Sequence, residues 1–498
     1  MTVCTPKIDR PEAAPSCVRP AAEVTRELNV CHVAATTEGA TWMLEQLREL
    51  RDEHGCQVTA VVSGETGGLV DKLRRENIAV RSQDFRFAGL RELLRLPRSI
   101  CSLARLFRRE RFDVVQTHLF ASMILGRIAA WLADVPVRLT MVAGPFHLEA
   151  HTPRWIDAAT CWMDTTLIGS CRHTLDLYRG LGAKNNRLAL IYYGPDERKF
   201  CPESTPPAQI RSEFGWPVET PLVALIAYFY APLPSNSWIP ESVQGRAIKG
   251  HEDLIKAAPE ILREFPDARI LLVGKGWEAG GAKHMDEMRQ LVQELGLQDR
   301  VVFTGFRTDV NNILRAVDVA VQASLNENLG GTIESLLMAC PTVATRVGGL
   351  VDSVIDEQTG ILVRPADPQD LARGIRALLR DPARSKRLAH AGRDWMRERF
   401  TLRRTVDDLH QLYRQKLFAN QRRLKGYRWY ASLWRLLIGT PLFFYLALRL
   451  VVCDYNQIGI WRQQMRSRFF AAVCKVSTRL GSVRRCAGNL RCPAGNRK

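Results

Sequence analysis

The stretch Ser324-Leu325-Asn326-Glu327-Asn328-Leu329-Gly330-Gly331-Thr332-Ile333-Glu334, running on through Ser335-Leu336-Leu337-Met338-Ala339-Cys340-Pro341-Thr342-Val343-Ala344-Thr345-Arg346-Val347-Gly348-Gly349, places a carboxylate, a glycine loop, a helix start and a second carboxylate close together. Loop glycines let the backbone approach a ligand closely. The first amides of the following helix are unpaired and have the positive end of the helix dipole behind them. A diphosphate is therefore expected against Gly330, Gly331 and Thr332, with Glu327 and Glu334 free to accept hydrogen bonds from sugar hydroxyls.

Outward from this run, strand-like apolar stretches alternate with helix-like ones from residue 27 to about 395. Leu28-Asn29-Val30-Cys31-His32-Val33, Val58-Thr59-Ala60-Val61-Val62, Val114-Val115-Gln116-Thr117, Ile270-Leu271-Leu272-Val273 and Val301-Val302-Phe303 are examples. Such alternation predicts an α/β fold of parallel sheets covered by helices. A chain of 498 residues has room for two such cores.

Together these residues resemble the donor-binding signature of family 4 of the retaining glycosyltransferases, whose members bind nucleotide-sugars in a cleft between two Rossmann-like domains, the GT-B fold. The spacing from Glu334 to Pro341 and Thr345 is similar to the family's, so the resemblance implies that Glu334 holds the nucleotide ribose. In most relatives the first glutamate lies eight positions upstream of the second, which here is Asn326, whereas Glu327 lies seven upstream. A one-residue deletion in the glycine loop would return Glu327 to the role of positioning the donor sugar, and that reading is favoured.

Breaking the bond between a sugar and a nucleotide diphosphate leaves negative charge on the diphosphate, and preorganised cations facing it lower the barrier. Relatives usually supply an Arg just after the first strand of the second domain and a Lys shortly after it. Here Leu222-Val223-Ala224-Leu225-Ile226-Ala227 runs into Tyr228 where that Arg is expected, and an insertion, Phe229 through Gln244, follows. In Gly245-Arg246-Ala247-Ile248-Lys249-Gly250-His251, Lys249 matches the family's Lys-Gly-His pattern, and Arg246 is expected to replace the missing Arg.

The first half offers fewer markers. His118 follows a strand-like run, at the end where ligands bind in open α/β sheets, and resembles the family histidine that lines the donor-sugar pocket. Glu38-Gly39-Ala40-Thr41 resembles the loop near the donor phosphates, with Glu38 in place of the first of two glycines, so Gly39 is the donor-binding residue expected there. Gly144-Pro145-Phe146-His147 occupies the position of another pocket loop.

Residues 1–26, rich in Pro and Ala and without an apolar stretch of signal-peptide length, read as a disordered lead-in. The acceptor domain is expected over 27–205 and the nucleotide-sugar donor domain over 206–400, with the break near Pro202-Glu203-Ser204-Thr205-Pro206-Pro207. The 13 cysteines are scattered without a Cys-x-x-Cys pair, which favours reduced thiols in a cytosolic compartment and no metal site.

Residues 401–498 hold nearly all the charge asymmetry: 20 Lys and Arg against 3 Asp, 20 − 3 = +17, where the whole chain carries +18. The uncharged run Leu436 to Leu448, at about 1.5 Å per residue, is shorter than a hydrocarbon core of about 30 Å. Tyr427, Trp429, Tyr430 and Trp434 precede it, as side chains that favour the interface would. Trp461, Met465, Phe469, Val473, Val476 and Leu480 then recur as one apolar helical stripe among arginines and lysines. A basic, partly hydrophobic helical tail lying on an anionic membrane surface is the favoured reading. A tail that packs on the protein or binds nucleic acid, or one that spans the membrane, are its alternatives.

The resemblance thus implies a retaining, metal-independent enzyme with no cofactor beyond a nucleotide-diphosphate-sugar co-substrate. With the tail on the cytosolic face of the membrane, the expected acceptor is a lipid-linked saccharide or polysaccharide precursor, and no nucleic-acid partner is expected. An epimerase or a phosphorylase on the same scaffold, or a binding protein for nucleotide-sugars, remains an alternative, because fold alone does not fix chemistry.

Overall fold

A computed structural model of the chain describes the backbone of residues 26–86 and 90–424 and the side chains of 26–86 and 95–420. Two parallel sheets organise these residues. The first holds β1 Asn29–Ala34, β2 Gln57–Val62, β3 Ala79–Ser82, β4 Val114–His118, β5 Val137–Val142, β6 Thr166–Gly169 and β7 Leu188–Leu190, in the order β3-β2-β1-β4-β5-β6-β7. The second holds β8 Leu222–Ile226, β9 Arg269–Val273, β10 Val301–Gly305, β11 Val319–Gln322, β12 Thr342–Thr345 and β13 Ile361–Val363, in the order β10-β9-β8-β11-β12-β13.

The apolar runs become strands because, once helices cover both faces, nearly every side chain along them is buried: Val30, Val33, Val114, Val223 and Ile270 are fully enclosed. In each sheet the order reverses beside the first strand, between β1 and β4 and between β8 and β11. At such a point the loops leaving neighbouring strands diverge and open a crevice at the carboxyl ends.

The chain passes between the two sheets twice, and the crossings run side by side. Leu402 N donates to Pro195 O at 2.9 Å and Gly194 N to Thr405 Oγ1 at 3.0 Å. Only glycine fits at 194, since a Cβ there would lie 2.2 Å from the Thr401 carbonyl carbon.

The second crossing corrects the expected tail. The helix Pro382–Arg399 completes the second domain through Trp395 and Met396, and the chain then returns as the helix Leu402–Leu424. Leu402, Val406, Leu409, Tyr413 and Leu417 pack into the core of the first sheet with Val30, Val114 and Leu139. Burial of that apolar stripe, the same force expected to hold a tail on a membrane, makes 402–424 part of the enzyme body.

The segments Tyr427 through Leu480 and the lead-in lie outside the described residues, except that Arg26 pairs with Asp113. Among the described residues no helix is long and apolar enough to cross a membrane.

Candidate active site

The loop after β11 carries the run from Ser324 to Glu334. Gly330 adopts a φ of +54°, and a methyl group there would sit 2.9 Å from Glu327 Cγ, so the glycine folds the loop back over Glu327. Gly331 then opens the short helix Thr332–Leu337. The Thr332 hydroxyl is engaged inside the protein, donating to Leu329 O and lying 2.7 Å from Ser353 Oγ, so only its backbone faces the loop chemistry.

Glu327 forms an ion pair with Lys249, which ends the loop before the helix His251–Glu264. Ser324 Oγ donates to the same carboxylate oxygen at 3.1 Å and Gln322 Nε2 at 3.4 Å, while Asn328 N donates to Oε1 at 3.2 Å. Burial works against the Lys249 charge, but the Glu327 carboxylate outweighs it and holds the ammonium above its usual range. Tyr230, from the insertion, shares this centre: burial raises its phenol, with Lys249 pulling it down and Glu327 pushing it up.

Asn326, the other candidate for the first-glutamate role, turns away from Lys249. Its amide donates to Glu149 of the first domain, whose other oxygen lies 2.6 Å from His173 Nε2. Ser170 Oγ donates to Asn328 Oδ1 at 3.0 Å and Arg172 N to Asp352 Oδ2 at 2.7 Å, so the glycine-loop side of the second domain is bonded directly to the first. Gly144 lies against Asn328, where an added Cβ would sit 3.5 Å from the Asn328 Cβ, and His147 Nε2 is 3.3 Å from Asp157.

A cleft of about 450 Å³ opens at the carboxyl ends of the strands, lined by Glu327, Gly330 and Glu334 on one side and by Trp42, Glu45 and Lys199 on the other. Burial, reinforced by the Glu45 carboxylate, pushes Glu334 up to about 7. Lys199 Nζ pairs with Glu45 at 2.5 Å. A larger hollow of about 680 Å³ lies at the opposite, amino ends of the strands, lined by Pro221, Val317 and Pro341, and is remote from these groups.

Other expected residues stand elsewhere. Arg246 donates to the nearly buried Asp253 at 2.7 Å and is not joined to Glu327 or Lys249. Gly39, at φ +63°, has open space where a Cβ would stand, whereas the Glu38 carboxylate turns away to accept from Gly68 N at 2.9 Å.

His118 is enclosed, 0% exposed, which corrects the expectation that it lines an open pocket. Its Nδ1 lies 3.1 Å from Tyr193 Oη and its Nε2 3.3 Å from His32 Nδ1, while the Trp42 ring stands 4.7 Å away. Burial, with His32 beside it, holds its imidazole neutral. The position behind Trp42 makes it a support of the cleft wall.

Among the described residues no group of three or more His, Cys, Asp and Glu side chains is placed to hold a metal ion. Trp42, Glu45 and Lys199 were not singled out from sequence. Lys199 lies inside the turn Gly194-Pro195-Asp196-Glu197-Arg198-Lys199-Phe200, so a charge next to the crossing was the available signal.

Residues 38–194 match the model of a glycosyl transferase 4-like domain and residues 242–381 that of glycosyl transferases group 1. A 2-deoxystreptamine glucosyltransferase of Streptomyces kanamyceticus is 26% identical over 68% of this chain and 87% of its own. A D-inositol 3-phosphate glycosyltransferase of Salinispora tropica is 27% identical over 75% of each chain. In fold the chain is similar to Anabaena HepE in complex with UDP, with a TM-score of 0.65 at 19% identity over 77% of this chain and 99% of that one. With both halves matched and the two doubly wound sheets facing one cleft, the chain belongs to family 4 of the glycosyltransferases, with the GT-B fold.

Proposed function

We propose that the protein is a retaining, metal-independent glycosyltransferase that draws its sugar from a nucleotide-diphosphate-sugar bound at the glycine loop. The observation that carries this reading is the Lys249–Glu327 pair at a cleft that also holds Glu334. Glu334 accepts from the ribose hydroxyls, Glu327 positions the donor sugar, and Lys249, with the amides at Gly330 and Gly331, meets the charge of the diphosphate. That charge compensation requires no metal ion.

In the transfer, the bond from the sugar's anomeric carbon to the diphosphate oxygen breaks. A new bond to the acceptor hydroxyl forms on the same face of the sugar, and the acceptor's proton passes to the leaving diphosphate. No protein nucleophile is assigned. Water is kept out by the contacts that hold the halves together at Asn326–Glu149 and Asn328–Ser170.

The donor class is supported by the similar Anabaena protein, whose structures are described with UDP and with UDP-glucose. The charge of residues 425–498, 14 Lys and Arg against 1 Asp, 14 − 1 = +13, supports a peripheral position on the cytosolic membrane face and a lipid-linked saccharide as acceptor. A second reading of the acceptor, a small cyclic polyol, is favoured by relatives that act on 2-deoxystreptamine and D-inositol 3-phosphate.

Thermal stabilisation across a panel of nucleotide-sugars tests the donor, since a ligand at 100 times its Kd adds about 2.7 kcal/mol. The stabilising donor is then incubated without acceptor. A transferase shows at most slow hydrolysis, whereas an altered sugar would mark an epimerase, and a demand for inorganic phosphate would mark a phosphorylase.

A further inference from the structure

We propose that Lys199, on the crossing between the domains, supplies the second positive charge to the donor diphosphate. The inference rests on the glycosyltransferase reading above and names one more donor-binding residue for it.

The cleft is short of positive charge. Four carboxylates line it, those of Glu45, Asp196, Glu327 and Glu334, and Lys199 is the one basic side chain among its lining residues. Lys249, beside it, is already matched to Glu327. Arg246 is matched to Asp253. Asp196 is neutralised by Arg198 and Glu327 by Lys249, which leaves Glu45 and Glu334 facing an entering diphosphate, so a further cation is needed there.

Lys199 is placed to provide it. It sits on the crossing between the domains, and Glu45 is the only partner of its ammonium among the described residues. The side chain is 55% exposed, and an ion pair that open to water is weakly held. The crossing does not depend on that pair: Asp196 is met by Arg198 at 2.7 Å and Arg48 at 3.8 Å, and Arg198 also reaches Glu49 at 3.9 Å. Glu45 thus holds the ammonium at the cleft edge. When the diphosphate arrives, Lys199 exchanges one anionic partner for a more highly charged one.

Calorimetric titration of the full chain with UDP, GDP and ADP, and with the nucleoside of whichever binds, tests this. Lys199→Ala should weaken the nucleoside diphosphate about tenfold, equivalent to 1.4 kcal/mol, and leave the nucleoside unchanged. Lys199→Arg should restore most of the loss. Glu45→Gln, which frees the ammonium, should hold or improve the affinity. Unchanged diphosphate affinity in Lys199→Ala, equal losses for diphosphate and nucleoside, or a loss in Glu45→Gln as large as in Lys199→Ala would overturn the assignment, the last marking a mere strut. A wild-type chain that binds none of the three overturns the donor reading beneath it instead.

Discussion

Tyr413, in the returning helix, donates a 2.6 Å hydrogen bond to Gln116 Oε1 in β4 and stands 3.1 Å from His32 Nε2 in β1. The end of the described chain is thereby wired into the strands that support the cleft wall. All three side chains are fully buried, and burial pushes His32 down to about 3, so it stays neutral and its ring nitrogens depend on these partners.

Removing that hydroxyl strands a buried acceptor on Gln116. Tyr413→Phe is expected to cost about 1–3 kcal/mol in urea unfolding. A chain ending at Phe400 should fail to yield folded protein, whereas one ending near Lys425 should unfold with the cooperativity of the full chain. Folding of the shorter chain would contradict the placement of Leu402–Leu424 in the first core.

Glu334 and Lys249 should separate binding from turnover. Glu334→Ala is expected to weaken donor binding, and Lys249→Ala mainly to lower kcat, by about a hundredfold or more. Steady-state kinetics on the donor found in the panel check both. Wild-type rates in both variants would refute the site.

The geometry around the glycine loop predicts which of two neighbours positions the sugar. Glu327, paired with Lys249, should be the sensitive one, so Glu327→Gln impairs transfer far more than Asn326→Ala. Asn326→Ala should act instead through the lost contact to Glu149, with a fall in Tm larger than its effect on kcat. The reverse ranking would give Asn326 the family role.

Glu334 predicts a pH dependence of opposite sign for stability and for binding. Burial raises its carboxyl to about 7 in the folded chain from an ordinary 4.5, so the folded state binds more protons between those values. Its contribution to stability is therefore full below about 4.5 and is lost as pH rises to about 7. Glu334→Gln removes this loss, and its Tm relative to wild type should rise over that window and level off above it, with ~2–4 °C for each kcal/mol. Nucleotide affinity of the wild type should strengthen as pH climbs through 7, because the ionised carboxylate is the better acceptor for ribose hydroxyls.

The basic tail predicts charge-dependent membrane binding. The full chain should co-sediment with anionic liposomes and not with neutral ones, and added salt should release it. A chain ending near Lys425, which keeps the helix Leu402–Leu424, should lose that binding. Equal binding by both chains, or binding indifferent to lipid charge, would contradict a membrane role for the tail.

What the sequence determined by itself was local. Strand runs such as Leu222–Ile226 and Ile270-Leu271-Leu272-Val273 declare themselves because all their side chains are apolar over the length of a strand. The loop from Ser324 to Glu334 declares itself because backbone that must approach a ligand needs glycine. Lys249 was legible for a related reason, lying in a short pattern that opens a helix. Tertiary structure decided the partners. Leu402, Val406, Leu409, Tyr413 and Leu417 spell an amphipathic helix in any context, but a stripe of apolar side chains does not state whether lipid or protein will cover it, and only the nearby first sheet settles that. His118 stands at a strand end that is usually open to ligands, and it is closed off by Tyr193, His32 and Trp42, contributed from distant parts of the chain. Arg246 and Lys199 carry the same kind of charge in sequence. Their difference is spatial: one is held by the nearly buried Asp253, the other stands half exposed at the edge of the cleft, and Coulomb energy depends on distance and burial, which sequence order does not contain.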